Sequence, residues 1–278
     1  MSVNSFSIKG RVKIFNEDCL NTLSRMKQKG VKVDFVLTSP PYNTANQIAP
    51  STKSNPIDYR ARYDIVLDNR TDDEYIQFTL DIFNLLHEVL SKNGAIAWNL
   101  SYSTRKPYLI WQVVSAVCTK TPFVTADCIV WKKHSAFPDN NTPNRLSRLC
   151  EFVFIFCRKA ELDTFHANKK VSSTLATGQK RYHAVSNFIT AKNNDSNTAE
   201  LNKATFSTDF AMRILRLYAP VNGFVYDPFI GTGTTAIACL KIPDMRLKCY
   251  GSELSSAQCQ YAVNRLEGTH IRKTLFGV

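Results

Sequence analysis

The sequence predicts an α/β protein built on a mainly parallel sheet. Short apolar runs of strand length alternate with longer segments whose apolar residues recur at helical spacing. One short run, Val33-Asp34-Phe35-Val36-Leu37, stops at Thr38-Ser39-Pro40-Pro41-Tyr42-Asn43. A later one, Gly223-Phe224-Val225-Tyr226, stops at Asp227-Pro228-Phe229-Ile230-Gly231-Thr232-Gly233 and opens into another helical segment. In an open α/β sheet, ligands bind at the carboxyl ends of strands, so these two strand ends mark the candidate site.

Taken in order, residues 12–15 read as the first strand and 20–27 as a helix. The run at 33–37 is a buried strand, because it is short, β-branched or aromatic, and ended by a proline pair. Ser39 precedes a proline and is pushed toward extended geometry. Pro40 and Pro41 have fixed φ and no N–H. The strand therefore ends in a stiff segment with free carbonyls, a hydroxyl and a ring, suited to a flat ligand that carries hydrogen-bond donors. Residues 44–70 are polar, contain Pro50 and Pro56, and read as a mobile loop. Thr71-Asp72-Asp73-Glu74 is an N-cap with an acidic first turn. Behind it Ile76, Leu80, Phe83, Leu86 and Leu90 keep helical spacing. Asn93-Gly94 ends that helix, and 95–100 is a strand. A helix over 107–118 follows. Residues 126–132 and 150–157 form an antiparallel strand pair joined by a polar loop over 133–149.

Residues 159–205 change character. They are rich in Lys, Asn, Ser and Thr and poor in aliphatics, and read as a partly irregular insertion. Order resumes with a helix over 208–218, the strand 223–226, the glycine loop and a helix to about 241. A strand and turn over 248–253 and a helix over 256–266 complete the pattern.

Thirty-five basic and 23 acidic residues leave a net charge of +12. That excess favours an anionic polymer as partner, nucleic acid first. No apolar stretch reaches the length of a membrane span, and residues 1–7 lack a basic start and an apolar signal core, so a cytoplasmic location is expected. The eight cysteines include no C-x-x-C pair. They read as reduced, buried apolar residues, and no metal site is expected.

The glycine loop carries more than a turn. Asp227 stands at the strand end, Phe229 can cover a flat ring, and Glu253 ends the next strand twenty residues after Gly233. An acid placed there can bond both ribose hydroxyls of a nucleoside. The dinucleotide pattern wants a third glycine, where this chain has Ala236. An acid just before the loop repels phosphate and attracts an ammonium group. Asp227 therefore favours a zwitterionic ligand, such as the methionine part of S-adenosylmethionine.

Together these pieces resemble the amino-methyltransferases of DNA. Ser39-Pro40-Pro41-Tyr42 matches their catalytic S/D/N-P-P-Y/F signature, and Asp227 to Gly233 matches their F-x-G-x-G cofactor loop. With the tetrapeptide early and the glycine loop late, the chain is similar to the beta class, found in restriction–modification systems. The resemblance implies a Rossmann-like methyltransferase fold with circularly permuted motif order. Its sheet would be mainly parallel and seven-stranded, with one antiparallel strand pair. It assigns 1–158 and 206–278 to a catalytic and cofactor-binding domain and 159–205 to target recognition. S-adenosylmethionine would be the cofactor, held by Asp18, Thr38, Phe206, Thr208, Asp227, Pro228, Phe229, Gly231, Gly233, Thr234 and Glu253. Relatives often begin the helix before the glycine loop with His-Pro; here Phe206-Ser207-Thr208-Asp209 stands there.

The implied chemistry is methyl transfer to an exocyclic base amine in DNA. Such an amine is a poor nucleophile, because its lone pair is delocalised into the ring. The Ser39 side chain and the Pro40 carbonyl suit acceptors for its two N–H groups, behind the stiff Pro41, while Tyr42 can stack on the extruded base. Fixed carbonyl dipoles would stabilise the moving positive charge. Methylation at carbon 5 of cytosine needs a cysteine after proline, which this chain lacks. Ser rather than Asp before the proline pair leans toward cytosine N4, with adenine N6 as the alternative. Candidate phosphate contacts are Lys53, Arg60, Arg62, Arg145, Arg148, Lys169, Lys170, Lys180 and Arg181. His87, in an amphipathic helix, reads as structural or surface, and His134 can face DNA. The partners implied are DNA and a restriction endonuclease acting on the same site, with the chain as monomer or homodimer. An RNA methyltransferase, or a nucleic-acid-binding protein without catalysis, are the competing classes.

Overall fold

The computed structural model describes residues 4–8, 10–43, 70–103, 105–134, 143, 146–195 and 206–275, with side chains to residue 268. The expected loop over 44–69, most of that over 135–145, and Lys53, Arg60, Arg62 and Arg145 lie outside the described residues.

The chain begins with a hairpin, β1 (Ser5–Ile8) against β2 (Val12–Asn16). Helix α1 (Cys19–Gln28) is started by Asp18, whose carboxylate accepts the Leu20 N–H. Strand β3 (Val33–Thr38) follows, then α2 (Asp72–Val89) behind a full capping box between Thr71 and Glu74. Next come β4 (Leu90–Leu100), α3 (Leu109–Lys120), β5 (Phe123–Lys133) and β6 (Cys150–Arg158). A 3-10 turn (Lys159–Thr164) leads to the small hairpin β7 (Val171–Thr174) and β8 (Lys180–Tyr182), and then to β9 (Phe188–Ala191). The last stretch is α4 (Thr208–Tyr218), β10 (Phe224–Asp227), α5 (Thr234–Leu240), β11 (Lys248–Glu253) and α6 (Ser256–Leu275).

Nine strands form one sheet in the order β1-β2-β11-β10-β3-β4-β6-β5-β9. Pairing is parallel from β2 through β4 and again between β5 and β9. It is antiparallel at β1–β2, β4–β6 and β6–β5. The seven strands expected from the sequence are thus the middle of a wider sheet, extended by one strand at each edge. Neither edge strand has a strong local pattern: β1 is a short polar-apolar run, and β9 lies in the polar segment.

Strand β3 shows why the core has two sides. Phe35 and Leu37 belong to one core cluster, with Phe210 and Ile214 of α4 and Ala236 of α5; Val36 belongs to the other, with Leu23 of α1 and Phe83 and Leu86 of α2. All three strand residues are fully buried, as a central parallel strand covered on both faces requires.

Two boundaries differ from expectation. Helix α2 closes at Val89, and Asn93-Gly94 falls inside β4. Asn93 takes a left-handed φ of 58° at an irregularity in the β3–β4 register, so the pair makes a bulge rather than a helix cap. A Cβ on Gly94 would come within 2.7 Å of Leu90 and 3.0 Å of the Asp34 carbonyl. The segment 159–205 is also less separate than its composition suggests. Through β9 it rejoins the main sheet, with Ile189 and Ala191 in the core.

Candidate active site

The two strand ends marked by sequence are spatial neighbours, because β3 and β10 pair in parallel. Asp227, at the end of β10, is 2% exposed and links them. Its Oδ1 accepts from the Thr38 hydroxyl at 2.6 Å and from the Phe229 N–H at 3.0 Å; its Oδ2 accepts from the Thr235 hydroxyl at 2.5 Å. The proline-pair segment and the glycine loop are therefore tied through one carboxylate. Burial pushes that carboxyl up to about 6, against the pull of Thr235, Thr38 and the Phe229 N–H.

The glycine loop follows. Gly233 has a φ of +84° and caps α5, a conformation glycine adopts without strain. Arg265 of α6 pins the loop, donating to the Thr232 carbonyl at 2.6 Å and pairing with Asp195 at 3.0 Å. Asp195 also accepts from the Thr208 N–H and hydroxyl at the start of α4. Glu253, at the end of β11, accepts from the Gly231 N–H at 3.0 Å and the Ser255 N–H at 2.8 Å. Burial pushes its carboxyl up to about 7, assisted by nearby Asp227 and opposed by those two N–H groups. Gly251 lies under the loop: a Cβ there would fall 2.3 Å from Ile230 Cδ1, so only glycine admits the loop at this depth.

These elements enclose a cleft of about 850 Å³, counting the space at its open mouth. Ser39 and Pro41 stand at one end, and Asp18, Glu253 and Leu254 contribute to the wall. Phe206, Pro228, Phe229, Gly231 and Thr234 also line it. Thr38, Thr208 and Gly233 are not on the wall; each supports a residue or turn behind it. The wall also includes Glu17, Arg70, Phe78 and Gln258, which the sequence analysis missed. The Arg70 guanidinium lies 4.1 Å from the Phe78 ring centroid, placing a cation on an otherwise acidic and aromatic wall. The donor set fits S-adenosylmethionine: acids for hydroxyls and an ammonium, a cation for a carboxylate, and aromatic faces for a purine.

At the Ser39 end lies a polar network that the tetrapeptide alone does not disclose. The Ser39 and Tyr42 hydroxyl oxygens are 2.7 Å apart. Tyr42 donates to Glu151 Oε2 at 2.9 Å. Asn99 Nδ2 is 2.6 Å from the Tyr42 oxygen, 2.7 Å from Glu151 Oε2 and 3.4 Å from Ser39 Oγ. Lys133 forms an ion pair with Glu151 Oε1. Asn99 and Glu151 are buried, and Asn99 Oδ1 has no partner among the described residues. The Pro41 carbonyl is taken by the Tyr75 hydroxyl at 2.7 Å, whereas no described residue donates to the Pro40 carbonyl. Lone polar residues in apolar strands, such as Asn99 in Ala95–Asn99 and Glu151 before Phe152, were the available signal.

Of the candidate DNA contacts that are described, Lys169, Lys170, Lys180 and Arg181 are exposed on and beside the β7–β8 hairpin. Arg148 instead packs over the Tyr102 ring and bonds the Tyr102 carbonyl. His87 receives a hydrogen bond from Arg158 and packs on Phe123, a structural role. His134 is anchored through its N–H to the Ala191 carbonyl beside β9.

A sheet of this order, with a nucleoside-sized cleft over its parallel strand ends, defines a methyltransferase-type α/β protein. Residues 33–264 match the DNA methylase family of N6 and N4 enzymes, and the chain belongs to that family. It is a DNA amino-methyltransferase by family, with S-adenosylmethionine as methyl donor. Among curated relatives it is 26% identical to the type II methyltransferase M.MjaI of Methanocaldococcus jannaschii over 238 residues, 76% of this chain and 78% of that one. It is 23% identical to M.ScaI of Streptomyces caespitosus, over 92% of this chain and 81% of that one. Among solved structures, the cytosine-N4-specific PvuII DNA methyltransferase superposes with a TM-score of 0.65 at 17% identity, covering 92% of this chain and 86% of that one. The SAM complex of M1.HpyAVI gives 0.59 at 18% identity, covering 92% and 99%. At these identities the structural likeness speaks for the fold. Among the described residues no helix is long and apolar enough to cross a membrane.

Proposed function

We propose that the protein methylates the exocyclic N4 amine of cytosine at a specific DNA site, within a restriction–modification system. The observation that carries this is the Ser39 hydroxyl: it stands on the wall of the cofactor cleft and is anchored from behind by Tyr42 and Asn99. When bound, S-adenosylmethionine supplies a methyl group on a cationic sulfur. Ser39 Oγ and the Pro40 carbonyl accept the two amine N–H groups and draw the nitrogen toward tetrahedral geometry. The Tyr42 ring stacks on the extruded base, its hydroxyl held so that the ring cannot turn away. Asp227 and Glu253 hold the cofactor's ammonium and ribose hydroxyls, Asp18 meets the adenine, and Arg70 meets the carboxylate. The segment 159–205, with its exposed basic hairpin, reads the DNA; a restriction endonuclease acting on the same site is the expected partner in the cell.

The serine before the proline pair favours cytosine over adenine, and the PvuII enzyme of like fold is cytosine-N4-specific. Adenine N6 is the second reading, since the same acceptors suit its amine. Mass spectrometry of nucleosides from treated DNA tests this directly. N4-methylcytosine is expected; N6-methyladenine would transfer the assignment to the second reading. Label entering RNA or protein but not DNA would overturn both.

A further inference from the structure

We propose that Glu151 receives the proton released by methylation, passed from Ser39 through the Tyr42 hydroxyl. The proposal rests on the reading of Ser39 as acceptor for the base amine. Methylation turns the amine nitrogen into a cationic centre that has to lose an N–H proton. An extruded base fills the space that bulk water would otherwise use, so the proton needs a protein path.

The hydrogen bonds supply one, and its direction follows from the acceptor at its end. Tyr42 has a single proton, and it points at Glu151 Oε2, 2.9 Å away. The 2.7 Å contact between the Ser39 and Tyr42 oxygens is then donated by Ser39. Ser39 Oγ also receives the long 3.4 Å contact from Asn99 Nδ2, and its second lone pair is left to accept an N–H group from the base. Asn99 Nδ2 holds both the Tyr42 oxygen and Glu151 Oε2 in place. Ser39 and Tyr42 follow β3, Asn99 stands on β4, Lys133 on β5 and Glu151 on β6, four neighbouring strands of one sheet.

A purely structural network would not need a carboxylate. Burying one, at 6% exposure, costs more than burying a neutral amide of the same shape. Lys133 is the charged group that faces Glu151 among the described residues, and it pairs with Oε1, the oxygen that Tyr42 does not use. The Lys133 side chain is 24% exposed, which opens a route from Glu151 to solvent.

The step balances. The amine nitrogen forms a bond to the methyl carbon as the carbon–sulfur bond breaks, its electron pair remaining on sulfur. The N–H proton moves to Ser39 Oγ, the Ser39 proton to the Tyr42 oxygen, and the Tyr42 proton to Glu151 Oε2. The N–H electron pair returns to the base ring. Glu151, now neutral, later gives its proton to water past Lys133. Tyr42 and Glu151 act through Ser39 and are positioning residues in this scheme.

The test uses the full chain and tritiated S-adenosylmethionine on DNA from a methylation-deficient host, in single turnover across a range of pH. Tyr42→Phe keeps the ring and removes the hydroxyl; Glu151→Gln keeps the shape and removes the acceptor. Each should slow transfer by about 10²–10⁴-fold, the usual range for a lost acid–base partner. Cofactor and DNA affinities should stay within about twofold, and the double variant should be no slower than either single one, because the path is already broken. The residual rates should rise with pH as hydroxide replaces Glu151, and Glu151→Asp should recover part of the loss. Full activity of Glu151→Gln in an enzyme that does label DNA would overturn the proton path and leave the serine assignment standing. A slow variant whose rate ignores pH, or whose DNA affinity falls in step, would also overturn it in favour of a scaffold role. An unaltered protein that labels no DNA would remove the underlying reading, and the path with it.

Discussion

Replacing Asp227 with asparagine should make the protein more stable at neutral pH while weakening its grip on the cofactor. Asp227 is buried and accepts from Thr38, Thr235 and the Phe229 N–H, yet burial outweighs those bonds and raises its carboxyl from 3.8 to about 6. That is a rise of about 2 pH units, each worth about 1.4 kcal/mol. The ionised group therefore costs the fold about 3 kcal/mol relative to its neutral form. The sign follows from proton counts. Between the ordinary value and about 6 the folded protein keeps this proton while the unfolded chain has lost it. Stability thus falls as pH rises through that window and stays lowered above it. Asparagine has the shape of the neutral acid and cannot ionise. Asp227→Asn should gain up to about 3 kcal/mol over the unaltered protein near pH 8, and almost nothing near pH 4. Urea unfolding followed by tryptophan fluorescence, repeated across this range, measures the difference. Glu253 titrates in both proteins; losing the Asp227 charge also removes one of the lesser causes that raise it, so its change adds to the measured difference. A variant less stable than its parent near pH 8, or a difference that does not change with pH, would refute the reasoning.

Three further outcomes follow from the geometry. Glu253, raised to about 7, should ionise when ribose hydroxyls bond to it, so S-adenosylmethionine should bind more tightly as pH climbs from about 6 to 8. Calorimetry in buffers of different ionisation heat should detect proton release; none would contradict the role given to Glu253. Arg158 bonds the His87, Leu90 and Ser91 carbonyls where α2 turns into β4, and pairs with Glu161. Arg158→Ala should cost about 2–4 kcal/mol in chemical unfolding, because three partly buried carbonyls lose their donor; a loss under about 1 kcal/mol would show that water replaces it. Removing Lys180 and Arg181 together should lower the slope of log affinity against log salt by about 2 for duplex DNA, measured by anisotropy. An unchanged slope would take the hairpin off the DNA.

The parts of the fold legible in sequence were those with strong local signals. The capping box at Thr71 and Glu74, the Thr208–Tyr218 helix and the buried β3 are set by neighbouring residues, and they stand where local rules place them. Strand β9 escaped because its place is set by pairing with β5, roughly sixty residues away in the chain, rather than by its own alternation. Asn93-Gly94 misled because a left-handed Asn before Gly serves a bulge as well as a helix end. At the site, the two motifs announced themselves, but the groups behind them did not. Glu151 and Asn99 reach Tyr42 across 109 and 57 residues of sequence, and no spacing rule joins them. The hydroxyls of Thr38 and Thr208 bond Asp227 and Asp195 rather than lining the cleft, a direction that a motif does not give, because a hydroxyl pointing into the protein cannot be told from one pointing out.

The return of residues 159–205 to the sheet bears on how the recognition segment proposed there could be exchanged between such enzymes. Cutting at 159 and 205 would remove β9, empty the places of Ile189 and Ala191, and strip the edge from the strand that carries Lys133. On the other side, Asn168 is moored to the Leu217 and Ala219 carbonyls, and Phe165 stacks on Tyr218. The exchangeable cassette is therefore narrower than the change in composition suggests. It begins after Asn168 and ends before Asn187, whose side chain holds the Cys128 carbonyl. A chimera joined at those two seams keeps the parent's sheet intact and changes only the surface that protrudes from it.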